Sequence, residues 1–217
     1  MKSISPSSER RQLIQQLEAR GIHNRRVLRA IENTPRERFL PTDQQDQAYV
    51  DEAIPIDCGQ TISQPYMVAI MTELLDVEPT HRVLEIGAGS GYQSAILAQL
   101  AGDVTAIERH RPLADCARQR LEKLGLANVR ILVGDGMLGH PPSQPYDRIL
   151  VAAAGPVCPP ALLEQLAPGG ILVGPFGPEK QQILQRFRKT EQGVACENLI
   201  PCRFVPLLGG LPDEQAD

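Results

Sequence analysis

Apolar positions along the chain change period once, near residue 80. Before that point they recur at helical spacing. Leu13, Ile14 and Leu17 form one short stripe that Gly21 ends, and Val27, Leu28 and Ile31 form a second that stops before Pro35. Residues 36–65 carry Pro41, Pro55, Gly59 and Pro65 and predict an irregular, turn-rich segment. Met67, Ile70, Met71, Leu74 and Leu75 then form an apolar helical stripe whose methionines are read as core filler.

From residue 82 onward, short continuous apolar runs alternate with helical stretches. RVLEIG (82–87), DVTAIE (103–108), NVRILVGD (128–135), DRILVAAA (147–154) and GGILVGPFG (169–177) read as strands. Residues 94–101, 112–124 and 160–166 read as the helices between them, the second opened by Pro112 and closed by Gly125. Two further strand-like runs, 181–188 and 200–208, follow without a long helix. Apolar strands separated by helices predict a doubly wound, mostly parallel sheet covered on both faces. The expected architecture is a seven-stranded Rossmann-like α/β sheet with an N-terminal helical cap. We read residues 1–217 as one domain, with 1–80 as the helical and covering segment and 81–217 as the sheet core.

Composition narrows the class. The chain has 217 residues, 42% apolar and 22% charged, which is ordinary for a water-soluble globular protein. A chain of this length buries roughly 70% of its unfolded surface without a staple. No apolar run approaches the ~20 residues that span a bilayer, and MKSISPSSERRQL lacks the apolar stretch of a signal peptide. The five cysteines form an odd set with no C-x-x-C pair, which argues against a disulfide framework or a zinc cluster. A reducing cytoplasm is the expected location, with no metal and no membrane partner. Net charge is −4, but residues 1–40 hold nine Lys/Arg against four Glu, a local +5. A nucleic-acid-binding arm is one reading of that segment. A solvated helical face is favoured, because no aromatic residue is interleaved before Phe39.

Ligands of an open α/β sheet bind beyond the carboxyl ends of its strands, and three polar features fall there. The first strand runs into Glu85-Ile-Gly87-Ala-Gly89-Ser90-Gly91, where glycines let the backbone approach a ligand without a Cβ. Glu108 ends the second strand, 21 residues after Gly87, where a carboxylate can accept from both hydroxyls of a ribose. The third strand ends in Gly134-Asp135-Gly136. A dinucleotide fingerprint is G-x-G-x-x-G, whose third glycine would fall at Tyr92 or Ser94. The G-x-G-x-G that stands here suits a nucleoside without pyrophosphate, above all S-adenosyl-L-methionine. Glu85 is then either a cap or a partner for the methionyl ammonium.

Other chemistries are excluded by absence of their motifs. There is no P-loop lysine, G-x-S-x-G elbow or S-x-x-K. Ala153-Ala154-Gly155-Pro156 stands where amino-directed nucleic-acid methyltransferases carry an Asn/Asp-Pro-Pro-aromatic. The one Pro-Cys, Pro201-Cys202, lies far downstream of the position a cytosine-C5 enzyme requires.

Gln60-Thr61-Ile62-Ser63-Gln64-Pro65 crowds polar groups just before a helix, and Ser63 by itself reads as an N-cap. This segment, followed in order by EIGAGSGY, GDG at 134–136 and RFVPL at 203–207, resembles the protein-L-isoaspartate O-methyltransferase family from about residue 35 to 208. The chain departs from the pattern at Asp57-Cys58 and Gly155.

The resemblance implies methyl transfer from S-adenosyl-L-methionine to the α-carboxylate of L-isoaspartyl residues in damaged proteins, leaving S-adenosyl-L-homocysteine. By position it makes Ser63 the active-site serine. It puts Thr61, Ile62, Glu85, Gly87, Gly89, Ser90, Gly91, Glu108, Arg109, Asp135 and Gly136 around the cofactor. The partners it implies are isoaspartyl proteins and peptides, with no nucleic acid and a monomeric enzyme. Two other readings remain open on the residues alone. One is a methyltransferase for RNA or a small molecule, motivated by the basic segment, and the other a non-catalytic adenosyl-binding module.

Overall fold

The computed structural model describes residues 6–212, so Lys2 of the basic segment and both ends of the expected domain lie outside the described residues. Helices α1 (Pro6–Ala19) and α2 (Arg25–Asn33) follow the two N-terminal stripes. Asn24 caps α2, its side-chain oxygen accepting from the amides of Arg26 and Val27 at 2.9 and 3.3 Å. A two-stranded ribbon, β1 (Ile54–Pro55) with β2 (Thr61–Ile62), breaks the irregular segment. Helix α3 (Pro65–Leu75) follows it directly, with Met67, Met71 and Leu75 buried as expected of core filler.

The remaining elements are β3 (Arg82–Ile86), α4 (Tyr92–Ala98), β4 (Asp103–Glu108), α5 (Arg111–Lys123), β5 (Val129–Val133), β6 (Tyr146–Val151), α6 (Pro160–Glu164), β7 (Leu166–Phe176), β8 (Ile183–Thr190) and β9 (Gly193–Pro201). The sheet order is β5-β4-β3-β6-β7-β8-β9. Strands β3 to β7 pair parallel, and β8 and β9 pair antiparallel. The chain winds outward from β3 through β4 to β5, then crosses back to β6 on the other side of β3. That reversal leaves a crevice between the carboxyl ends of β3 and β6. Val83, Leu84, Glu85 and Ile86 are all buried, as a central strand covered on both faces requires.

The seventh strand is not where its apolar run suggested. It spans residues 193–201 rather than 200–208, and most of it is exposed. A tight turn at Thr190–Gly193 makes it the outer half of a hairpin with β8. The Thr190 hydroxyl donates to the Gly193 carbonyl at 2.9 Å, and Gly193 takes φ +123°. An edge strand needs no continuous apolar face, so its sequence is polar. Residues 202–208 instead form a strap that runs back to the crevice. The Ala154 amide donates to Val205 O at 2.8 Å and the Leu207 amide to Ala154 O at 2.7 Å.

The N-terminal helices share the main core. One buried cluster joins Leu13, Leu17 and Ile31 to Ala95 of α4 and to Val104 and Leu150 of the sheet. Arg36 is fully buried within this join. Its Nε donates to Ala48 O at 2.8 Å, and its guanidinium lies 4.9 Å from the centre of the Tyr92 ring. Phe39 meets the same ring edge-on at 5.4 Å. Truncating Leu17, which is completely buried, removes packing between cap and sheet and should cost about 2–5 kcal/mol. Denaturant unfolding of Leu17→Ala is expected to show that loss as one shifted transition reported by both far-UV signal and tyrosine fluorescence.

Candidate functional site

The crevice is built by the turn after β3. Gly87 takes φ +87° and donates its amide to Ile107 O at 2.8 Å, which bends the chain across the end of β4. The Gly89 amide donates to Glu108 Oε2 at 2.8 Å, and the His110 amide to Oε1 at 2.9 Å. Glu108 is thereby fixed at the rim, nearly buried, with one backbone donor on each oxygen and lone pairs left on both. Gly91 has a different reason to be glycine. At φ +87° it opens α4, and a Cβ there would stand 3.0 Å from the Ala117 methyl on α5.

Two cavities meet at this loop. The first, an open cleft with about 540 Å³ of empty space that includes open solvent, is walled by Gly87, Glu108, Arg109, Gly136, Ala152 and the strap at Leu207. The second, about 440 Å³, is walled by Ile62, Ser63, Ser90, Tyr92, Gln93 and Phe204. Thr61, Gly87, Gly89 and Ala152 line both, so the two spaces are neighbours across the glycine loop.

Most sequence-predicted residues gather at these walls, and three do not. Glu85 is completely buried under the loop, where Oε2 accepts from the Ser94 hydroxyl at 2.5 Å and Oε1 has no partner. Burial, helped by the nearby charge of Glu108 and opposed by the Ser94 bond, pushes its carboxyl up to about 8. Gly91 serves packing. Asp135 ties down backbone, its Oδ1 accepting from the Met137 amide at 2.8 Å and its Oδ2 from the Gly210 amide at 2.7 Å. Arg109 reaches the first cavity with its Nε buried and unpartnered.

Ser63 does not cap α3. The helix begins after Gln64 with Pro65, which has no amide hydrogen, and the first free amide, that of Tyr66, donates to Asp51 Oδ1 at 2.8 Å. The Ser63 hydroxyl has no hydrogen bond to any described residue and stands at the wall of the second cavity. The sequence reading missed Asp51 altogether. It also took the strap's residues Val205 and Pro206 for strand, although an internal proline argues against one.

A parallel sheet with a glycine-turn crevice at its switch point, a rim carboxylate and an adjoining second cavity defines a nucleoside-cofactor α/β enzyme that brings two ligands together. Comparison with known proteins is specific. Residues 8–211 match the profile of the protein-L-isoaspartate(D-aspartate) O-methyltransferase family, and the chain belongs to that family. It is 52% identical over 198 residues to the protein-L-isoaspartate O-methyltransferase of Erwinia tasmaniensis, covering 91% of this chain and 95% of that one. It is 49% identical over 213 residues to the enzyme of that name from Rhodospirillum centenum, covering 97% and 96%. A solved protein-L-isoaspartate O-methyltransferase superposes with a TM-score of 0.82 at 28% identity, over 93% of this chain and 66% of that one. One from Plasmodium falciparum, solved with S-adenosyl-L-homocysteine, superposes at 0.80 with 24% identity, over 91% and 97%, and shares the fold.

The raised Glu85 carboxyl has a measurable consequence. Between about pH 4.5 and 8 the folded protein holds a proton there that the unfolded chain has released. Its contribution to stability is complete below that window and is lost as pH rises through it. Glu85→Gln should therefore flatten the fall in stability across that range. Chemical unfolding of both proteins at several pH values measures the difference, and parallel pH profiles would assign the proton elsewhere.

Proposed function

We propose that this chain transfers the methyl group of S-adenosyl-L-methionine to the α-carboxylate of L-isoaspartyl residues in damaged proteins and peptides, the first step of their repair. The observation that carries the reading is the pair of adjoining cavities, one holding a rim carboxylate and the other an unbonded serine hydroxyl. The residues present fit the cofactor. Gly89 brings backbone close without a side chain, both Glu108 oxygens keep lone pairs for ribose hydroxyls, and the Arg109 Nε–H has no partner among the described residues.

When bound, S-adenosyl-L-methionine supplies an electrophilic sulfonium methyl. Thr61, Ile62, Gly87, Ser90 and Gly136 are assigned to its enclosure together with Glu108 and Arg109. Glu85 and Asp135 act one layer back, Glu85 beneath the loop and Asp135 by holding Gly136 and the strap in place. The new bond would join a carboxylate oxygen to that methyl carbon, with the electron pair of the carbon–sulfur bond left on sulfur. No general base is needed, because an α-carboxyl of pKa ~3.5 is already ionised at neutral pH. The protein's task is alignment and partial removal of water. The Ser63 hydroxyl orients the carboxylate without neutralising it, whereas a tightly paired lysine or arginine would reduce its nucleophilicity.

We further read the protein as one monomeric domain of the cytoplasm whose partners are proteins rather than nucleic acid or membrane. The continuous core from α1 into the sheet supports one domain. Cys116, Cys158, Cys196 and Cys202 are free thiols, in keeping with a reducing compartment. Among the described residues no helix is long and apolar enough to cross a membrane. Several cations of the basic segment are used internally, Arg10 on Tyr49 and Glu37, Arg25 on Glu18, and Arg26 on Glu78 and two backbone carbonyls.

Methyl transfer from radiolabelled cofactor to isoaspartyl peptide, matched aspartyl peptide and RNA tests the reading directly. Label should enter the isoaspartyl peptide alone, and preference for RNA would overturn it. Ser63→Ala should lower turnover by roughly 10²–10³, the cost of losing an oriented donor in a transition state, with melting temperature unchanged because Ser63 caps nothing. Glu108→Ala should weaken cofactor binding by roughly 1.5–3 kcal/mol, the range for hydrogen bonds to a charged group, as calorimetry would read.

A further inference from the structure

We propose that Asp51 is a positioning residue for methyl transfer, aiming the Ser63 hydroxyl by holding the chain on its far side. The proposal rests on the role assigned to Ser63 above. Asp51 lies twelve residues before Ser63 and lines neither cavity. Yet it accepts three hydrogen bonds that fix the chain just after that serine. Its main-chain oxygen accepts from Gln64 Nε2 at 2.8 Å, and its Oδ2 accepts from the same nitrogen at 2.9 Å. Its Oδ1 accepts from the Tyr66 amide at 2.8 Å.

The near side of Ser63 is held by a different device. Ribbon pairing sets Ile62 opposite Ile54 and Thr61 opposite Pro55, and the Ile62 side chain is buried. Ser63 is thus the single residue between the ribbon's last pair and the Asp51 anchor. A side chain without a bond of its own takes its direction from its backbone. Here that backbone is pinned by β1–β2 before it and by Asp51 after it.

Asp51 is in turn fixed from the N-terminal helices. Arg20, just after α1, forms an ion pair with Oδ2, and its guanidinium carbon stacks 3.6 Å from the centre of the Tyr66 ring. One cation therefore grips both the carboxylate and the side chain of the residue whose amide that carboxylate caps. The pair is partly exposed, with side-chain exposures of 44% for Arg20 and 21% for Asp51. A surface ion pair of that kind adds little stability, and a lost helix cap shows as lost stability, so a purely structural role would leave kcat per folded molecule unchanged. Displacing a reacting group by about 1 Å can cost 10²-fold in rate, so a positioning role would lower it sharply.

Steady-state and single-turnover methyl transfer by Asp51→Ala, Asp51→Asn, Ser63→Ala and the double variant Asp51→Ala/Ser63→Ala separate these roles. Asp51→Ala should lose about 10- to 100-fold in kcat, with cofactor Kd unchanged by calorimetry. Asp51→Asn keeps an acceptor for the Tyr66 amide and should recover most of that loss. The double variant should be no slower than Ser63→Ala, because a residue acting only through Ser63 has nothing further to remove. Losses that multiply, or a kcat per folded molecule unchanged in Asp51→Ala while Ser63→Ala is slow, would overturn the proposal alone. Full methyl transfer by Ser63→Ala would overturn the proposal together with the role given to the serine. Should Asp51→Ala fail to fold, Gln64→Ala removes two of the anchoring bonds, leaves the helix capped, and takes its place in the same cycle.

Discussion

The hydrogen bond from the Gly89 amide to Glu108 is the contact on which the site depends. It joins the turn after β3 to the end of β4, and so fixes the floor of the crevice relative to one wall. The bond requires a backbone free to turn at Gly87 and Gly89, a carboxylate at the last position of β4, and parallel register between the two strands. Glu85 pairs across to Ala106 and Ile86 to Ile107, which delivers Glu108 to the loop. Shifting that register by one residue would turn Glu108 to the other face of the sheet. The site is a product of sheet register before it is a product of any one side chain.

The N-terminal helices complete what the sheet begins. Arg36 carries its charge into a fully buried position, where desolvation lowers its pKa and two guanidinium nitrogens find no hydrogen-bond acceptor. Burying a cation in this way is costly. The aromatic face of Tyr92 offsets part of that cost. Tyr92 is also the first residue of α4 and a wall of the second cavity. The cap therefore does more than cover apolar surface, because it braces the helix that follows the glycine loop.

The parts of the fold visible in the sequence were those whose physics is local. Central strands buried on both faces announce themselves as apolar runs, and the helices by their period and their prolines and glycines. The rim residues Gly87, Gly89, Glu108 and Gly136 were legible because strand ends are predictable and their chemistry is rare elsewhere. Strand β9 was not, since an edge strand has no buried face to advertise. The strap looked like a strand because it packs inward, although Pro206 and its partner Ala154 make it a crossing. Nor could local sequence show that Asp51 would displace Ser63 as the cap of α3. That substitution is made across a turn by Cys58 and Gly59, both at positive φ, and only the folded ribbon brings the two ends together. Nine cations before residue 40 were countable, but which of them point inward was decided by acceptors scattered from Glu32 to Leu100.

The strap also makes the first cavity a thermodynamic gauge of its own occupancy. Val205 and Leu207 are tied to the sheet by paired bonds to Ala154, more than fifty residues earlier in the chain. Contacts of such long range carry a loop-closure cost. A ligand held between strap and sheet adds RT ln(1 + [L]/Kd) to the work of lifting the strap, about 2.7 kcal/mol at a hundredfold excess over Kd. The empty and filled protein can then have the same contour and still differ many-fold in how often that edge comes loose. Supply of the small molecule would set the lifetime of the closed edge.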